Sequence, residues 1–481
     1  MAEEEDSSEL RQTGQSGGND KAGAQTEAGT QTQNVTQTQA DTGGRAGKAG
    51  GRRKAKQSIF YIYGEQKFQI ILGLIGAAIG IAVGLVDVVF GKVLLFTSNT
   101  RLAHPFWFIP FLALAGLGII YLNRLLGGNN HKGMNNVFDV GLEQSAELPW
   151  TIIPFVIVAT WMTNLCGGSS GREGVAVQVG AIIAYKLGRY VHSVGEKKIF
   201  IITGMAAGFG GLLGTPIAAT CFALEVIVAG EMKYQALFPA LIAAISAMEV
   251  TQAFGMTKFT FPLNTPMYFT IPFILQLLLL GVIFGLVGAI FAWLIRQAKH
   301  FFKVRIPSPI VRIMGGGAVL SVLFLLLHTG RYSGMGLDLI DYSLKGGVIY
   351  SYDWILKLLL TVLTLSLGFQ GGELVPLFSI GASLGAVLGN LLGLPVPLVA
   401  ALGYAAVFGS ATNTLFAPVL LGGEIFGFSY TPAFFIVCAV AYIFNMNQTI
   451  YGKQIPIRER IRRGLRSDTA APDRAQDRSA V

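Results

Sequence analysis

Apolar residues fall in long blocks along this 481-residue chain, not in alternation. Nearly unbroken runs cover residues 67–98, 105–124, 149–166, 174–191, 197–208, 214–229, 236–254, 270–302, 308–328, 352–368, 375–392, 397–409, 414–427 and 431–446. A helix needs about 20 residues to cross about 30 Å of hydrocarbon, and several runs reach that length. In lipid the backbone is satisfied only within helices or closed barrels, and a barrel strand alternates apolar with polar positions. The runs lack that alternation, so they predict an all-α polytopic membrane protein. The remaining runs are too short to span unbroken. Short, Gly-interrupted helices in matching places are the mark of an inverted-repeat transporter with its site near the midplane.

The chain carries traces of such a repeat. Gln178 to Gly188 matches Ser379 to Gly389, which places Gly180 on Gly381 and Gly188 on Gly389. Further on, Leu213 to Val226 lies over Thr412 to Ile425 at nearly the same spacing, with Glu225 falling on Glu424. Gly- and Ala-rich membrane sequence produces such matches easily, but two in the same order favour duplication. The expected organisation is a disordered cytoplasmic tail over 1–57, a transmembrane domain over 58–460 with halves of about 58–255 and 268–460, and a basic cytoplasmic tail over 461–481.

Composition narrows the class. Hydrophobic residues make up 52% and charged residues 13%, against about 25% charged in soluble domains, which excludes an ordinary soluble globule. The 61 glycines exceed the roughly 34 that average usage gives, as expected where helices pack closely or break at a binding site. Much of the net +9 charge sits in two flanks: Arg45, Lys48, Arg52, Arg53, Lys54 and Lys56 before the first span, and Lys453, Arg458, Arg460, Arg462, Arg463 and Arg466 after the last. Positive-inside bias then places both termini in the cytoplasm, with an even number of crossings. The charge therefore reports membrane orientation, not nucleic-acid binding. Cys166, Cys221 and Cys438 lie in apolar segments without metal spacing, and read as reduced structural residues. The five histidines, His104, His131, His192, His300 and His328, show no His-x-x-x-His or Glu-x-x-His spacing, so neither a metalloenzyme nor a cofactor is expected.

The repeat sets Gly171-Arg172-Glu173-Gly174-Val175 opposite Gly371-Gly372-Glu373-Leu374-Val375, with Pro376 next, and each motif runs directly into an apolar stretch. Both predict helix starts. A helix start offers unpaired N–H groups and partial positive charge, and glycines leave those donors open to a ligand. Two such starts meeting near the midplane make an anion site without a full positive charge. A carboxylate there can occupy the anion position, leave it and take a proton, which makes Glu173 a candidate gate and proton carrier. Its alternative is stabilising its own helix start by about 0.3–1 kcal/mol.

Gly-Arg-Glu-Gly opening one helix, Gly-Gly-x-x-x-Pro opening a second, and a tyrosine just after the last span resemble the CLC family of anion channels and anion/proton antiporters. The resemblance covers about 60 to 460. It implies a CLC-type inverted repeat of broken and tilted helices, and a homodimer with a pathway in each subunit. Chloride transporters of the family carry Gly-Ser-Gly-Ile-Pro at the first anion-binding turn, where the serine hydroxyl holds the ion. Here the stretch reads Gly133-Met134-Asn135-Asn136. That methionine, with Gly-Gly-Glu in the second motif, resembles the fluoride/proton antiporter branch. Taken singly, Met134 reads as packing, Tyr451 as an interfacial aromatic and Glu373 as half of an ion pair. The resemblance implies instead that Met134, Gly171, Arg172, Gly174, Val175, Leu374, Val375 and Tyr451 line an anion site. Glu173 would gate it and Glu373 would be a second acid.

Two departures bear on mechanism. Chloride/proton exchangers of the family carry two consecutive glutamates in the helix after a Pro-containing turn, and the second relays protons; here the pair is Glu225-Val226, which leaves that role to Glu373. The fluoride branch often has a threonine where this chain has Val375. The expected function is fluoride export coupled to proton entry, by a protein of the cell membrane whose partners are fluoride, protons and the lipid bilayer. A chloride/proton antiporter and a chloride channel of the same fold remain alternatives.

Overall fold

The computed structural model describes residues 43–128, 133–142, 147–191 and 197–455, with side chains from residue 66 onward. Nearly all of it is helical. The first half comprises α1 (Gly43–Ala103), α2 (Pro105–Phe108), α3 (Leu112–Leu125), α4 (Asn135–Gly141), α5 (Ile152–Leu165), α6 (Glu173–Gly188), α7 (Lys197–Leu213), α8 (Pro216–Glu225) and α9 (Leu237–Ala253). The second comprises α10 (Ile271–Arg305), α11 (Pro309–Leu326), α12 (Leu337–Lys345), α13 (Asp353–Leu367), α14 (Leu374–Leu392), α15 (Val396–Thr412), α16 (Phe416–Phe426) and α17 (Thr431–Phe444). Within Met1–Tyr63 the described part is the beginning of α1; Gly64–Val481 form a second unit that holds the remaining helices.

Among the described residues six helical stretches are long and apolar enough to cross a bilayer, from Gln66–Ala103 to Leu374–Leu392, while Pro216–Glu225, Val396–Thr412 and Phe416–Phe426 are shorter. The mixture of full and partial helices follows the run lengths read from the sequence. Two helices have no counterpart among the predicted runs. Both α4 and α12 are brief and polar, with Asn135, Asn136 and Asp139 in one and Asp338, Asp341 and Lys345 in the other, so hydropathy alone passes over them. They hold equivalent places in the two halves, each preceding the helix that leads to a glycine motif.

The repeated glycines hold equivalent helix pairs together. Gly180 of α6 has no room for a Cβ against the Gly204 carbonyl of α7, and Gly381 of α14 has none against the Gly403 carbonyl of α15. One turn or so away, Gly208 meets the backbone of Ala176, and Gly385 meets that of Val399. Without a hydrophobic drive between helices in lipid, such backbone-to-backbone approach is what makes the pairs pack. As a result α6 and α14 are buried almost throughout. Helix α1 begins at Gly43, inside the stretch read as a tail; residues 1–42 and 456–481 lie outside the described residues, and so does most of the second basic flank.

Candidate functional site

The two glycine motifs meet. Gly171 N–H donates to the Gly372 carbonyl at 2.6 Å and Gly372 N–H returns a bond to the Gly171 carbonyl at 2.8 Å, a two-residue antiparallel bridge. Approach this close needs residues without side chains: a Cβ on Gly171 would lie 3.1 Å from Val375 N and 2.9 Å from Pro376 Cδ, and one on Gly174 would lie 3.3 Å from Gly372 Cα. The bridge sets the first turns of α6 and α14 side by side.

The N–H groups of Glu173, Gly174, Leu374 and Val375 have no acceptor among the described residues, as the first turn of a helix requires. Val175, which the resemblance puts in the lining, offers no open donor. Its N–H, with that of Ala176, closes onto the Arg172 carbonyl at 3.1 Å, because the tight entry into α6 brings that carbonyl within reach. Val175 therefore contributes a buried wall and not a donor.

Glu173 is 1% exposed and folds back on its own helix start. Its Oε1 accepts from Arg172 Nε at 3.1 Å and its Oε2 from Arg172 N at 3.3 Å. The carboxylate thus sits where the N–H groups and the helix dipole favour negative charge. Glu373 occupies the N-cap of α14, with Lys299 Nζ of α10 3.7 Å from its Oε1, and both side chains are partly exposed. The lysine pairing weighed from the sequence is thus present.

Met134 and Tyr451 approach from other elements. Met134 is the N-cap of α4 and packs on the core. The preceding residue is tied to α6, since Gln178 Nε2 donates to the Gly133 carbonyl at 3.1 Å. Tyr451 is buried; its ring lies 5.1 Å from that of Phe138 on α4, and its hydroxyl falls within the field of Glu373. Lys453 Nζ to Asp139 Oδ1, at 3.1 Å, closes the same segment onto α4. The structure thus joins Gly171, Arg172, Glu173, Gly174, Glu373, Leu374 and Val375 at one bridge, while Tyr451 packs on Phe138 of α4. The Met134 turn is fastened to both α6 and the Tyr451 segment.

A family model described as voltage gated chloride channel matches residues 116–446, a stretch that contains both helix starts and Met134. The chain belongs to this family. Within the voltage-gated chloride channel family, a chloride/fluoride channel protein of Pseudomonas syringae pv. tomato is 33% identical over 364 residues, covering 74% of this chain and 80% of its own length. A crystal structure of a CLC-type fluoride/proton antiporter superposes with a TM-score of 0.79 at 52% identity, over 80% of this chain and 98% of that one. A slow cyanobacterial chloride/proton antiporter shares the fold at a TM-score of 0.67 and 16% identity, over 84% and 99% of the two chains.

Within this member of the voltage-gated chloride channel family, two buried polar side chains were passed over in the sequence reading. Tyr404 of α15 is buried in the field of Glu173 and Arg172, with its ring stacked 4.3 Å from Phe378. An aromatic in an apolar helix looks like packing, so no linear signal marks it. Gln178 was open to detection, being a polar residue inside a buried span. The glutamate pair position of the family is also resolved: Glu225 gives both oxygens to the N–H groups that start α16, and Val226 is fully buried.

Proposed function

We propose that this protein is a proton-coupled anion antiporter that exports fluoride in exchange for protons. The observation that carries it is the Gly171–Gly372 bridge, which sets open N–H donors beside two carboxylates, the buried Glu173 and the partly exposed Glu373. Fluoride is small and strongly hydrated, so a site must replace its water with several close donors. The N–H groups of Glu173, Gly174, Leu374 and Val375, with the Tyr451 hydroxyl, are suited to that task. Support for fluoride over chloride comes from the 52% identity to a fluoride/proton antiporter and from Met134 at the turn where chloride transporters carry serine.

In this mechanism ionised Glu173 competes with the anion for the start of α6. Protonation removes its charge, releases it from Arg172 and loads the proton to be carried. Glu373, held only loosely by Lys299, receives that proton on the other side of the bridge. Hydrogen fluoride crosses membranes and dissociates in a less acidic interior, and inward proton flow then drives fluoride out. The protein works in the cell membrane with both termini cytoplasmic, as a homodimer with one pathway in each subunit.

Reconstitution into liposomes tests this. Fluoride and chloride efflux are followed with ion-selective electrodes, with and without a proton shunt. Fluoride should leave faster and drive proton uptake. Equal rates for the two anions would remove the fluoride assignment, and fluoride efflux without proton movement would favour a channel.

A further inference from the structure

Glu373 stands at the N-cap of α14, yet its carboxylate makes no hydrogen bond to the start of that helix. It leans across the bridge instead. Its Oε2 lies 3.7 Å from where a Cβ on Gly174 would be, so the missing side chain of Gly174 leaves room for it at the start of α6. Its Oε1 lies 3.7 Å from Lys299 Nζ of α10. Each acid at a helix start thus has its own cation. Glu173 takes the neighbouring Arg172, whereas Glu373, whose preceding residue is Gly372, takes a lysine from another helix.

Helix α10 offers that lysine from a fixed base. Gly281 and Gly285 have no room for a Cβ against α17, Gly288 has none against Ser410 of α15, and Ser410 Oγ donates to the Gly285 carbonyl at 2.7 Å. One turn before Lys299, on the same face of α10, Arg296 Nη2 donates to Gln448 Oε1, three residues ahead of Tyr451. Arg296 is therefore engaged elsewhere, and among the described residues Lys299 is the cation within ion-pair reach of Glu373. The lysine side chain is 47% exposed and that of Glu373 19%, so the pair faces solvent.

An ionised Glu373 this close to open N–H groups is a rival for them, because a helix start favours a carboxylate as readily as a small anion. We propose that Lys299 is a latch, a positioning residue that draws the Glu373 carboxylate toward solvent and keeps the N–H groups of Gly174, Leu374 and Val375 open to fluoride. When Glu373 takes a proton it loses both the pull of the lysine and the need for it, since a neutral acid no longer competes for the donors. The O–H bond then breaks on the solvent side, the proton passes to water, and the lysine, charged throughout, recaptures the carboxylate. This inference rests on the reading of the paired helix starts as the anion site.

The test uses the full chain in detergent. Fluoride binding is measured by titration calorimetry for wild type, K299M, K299R, E373Q and the K299M/E373Q double variant. Methionine keeps the length of the lysine without its charge, so the freed carboxylate should turn onto the open donors and weaken fluoride binding about threefold, within the range of a part-exposed ion pair. Arginine should restore the affinity. In E373Q there is no charge to hold back, so adding K299M should change nothing further. A K299M affinity equal to wild type, or a loss that K299R does not repair, would overturn the latch. An equal loss on adding K299M to E373Q would overturn it too, since the lysine would then act on the anion or the fold without Glu373. A wild type that binds no fluoride would remove the anion site itself, and the latch with it.

Discussion

Glu225 at the end of α8 and Glu424 near the end of α16 each supply the acceptor that the other helix's start lacks. Glu225 receives the Leu415, Phe416 and Ala417 N–H groups at 2.7–3.2 Å, and Glu424 receives those of Ile217 and Ala218 at 3.2 and 2.8 Å. The sequence match that laid Glu225 over Glu424 thus has a structural meaning: duplicated halves facing each other reproduce the same cap in both directions. Each carboxylate offsets orphan donors that would otherwise be costly in an apolar setting. Replacing either by alanine is expected to cost about 1–2 kcal/mol, as for other lost caps. Glutamine should cost less, because it keeps one acceptor oxygen. Thermal denaturation midpoints in detergent read this directly, and an unchanged midpoint for E225A would mean the cap contributes nothing.

Glu173→Gln removes the charge without removing the shape. With no carboxylate to load, fluoride-driven proton flux should fall by about a hundredfold, the scale on which a positioned acid or base acts. Fluoride movement itself should continue. Parallel proton and fluoride electrode traces on the same liposomes separate the two, and coupling that survives would contradict the assigned role.

Tyr451→Phe keeps the ring against Phe138 and takes away only the hydroxyl. If that hydroxyl donates to the bound anion, the loss of one hydrogen bond worth about 1 kcal/mol weakens fluoride binding about fivefold. Titration calorimetry measures it. Unaltered affinity would place the hydroxyl outside the anion's reach.

Gly180→Val and Gly381→Val probe the two halves in equivalent places. Each inserts a side chain against a carbonyl of the neighbouring helix, Gly204 or Gly403, with no flexible group to give way. Overpacking of this kind costs about 1–3 kcal/mol or more. Both should reduce monodisperse yield in size-exclusion chromatography, and to a similar degree if the halves pack alike.

The helices were legible because lipid leaves long apolar runs little alternative to α-structure, and the bridge was legible because glycine next to glutamate at two helix starts is a costly arrangement to keep in a membrane. Helices α4 and α12 were not, since each is short and polar and is shaped by what it packs against. Tyr404 was hidden for the opposite reason: its neighbours in α15 are as apolar as it is, and only the fold stacks it on Phe378 of α14. Val375 shows a third case. The missing threonine hydroxyl is plain in the sequence, and so is the helix start that leaves the backbone N–H of Val375 open in the first turn of α14. Asp87 carried its signal openly, as a lone carboxylate within the span 67–98, but that neither oxygen meets a partner among the described residues emerges only with the fold.

The paired hydrogen bonds of Gly171 and Gly372 also act as a suture. Transporters that alternate access by rocking one repeat against the other need a seam that opens, and here the seam is tied at the two helix starts. Parting the halves would break both of these bonds and draw the two sets of open N–H groups apart. Under the proposed mechanism, the task of gating then falls to side chains swinging over a stationary backbone, a gate a few atoms across in place of a moving domain.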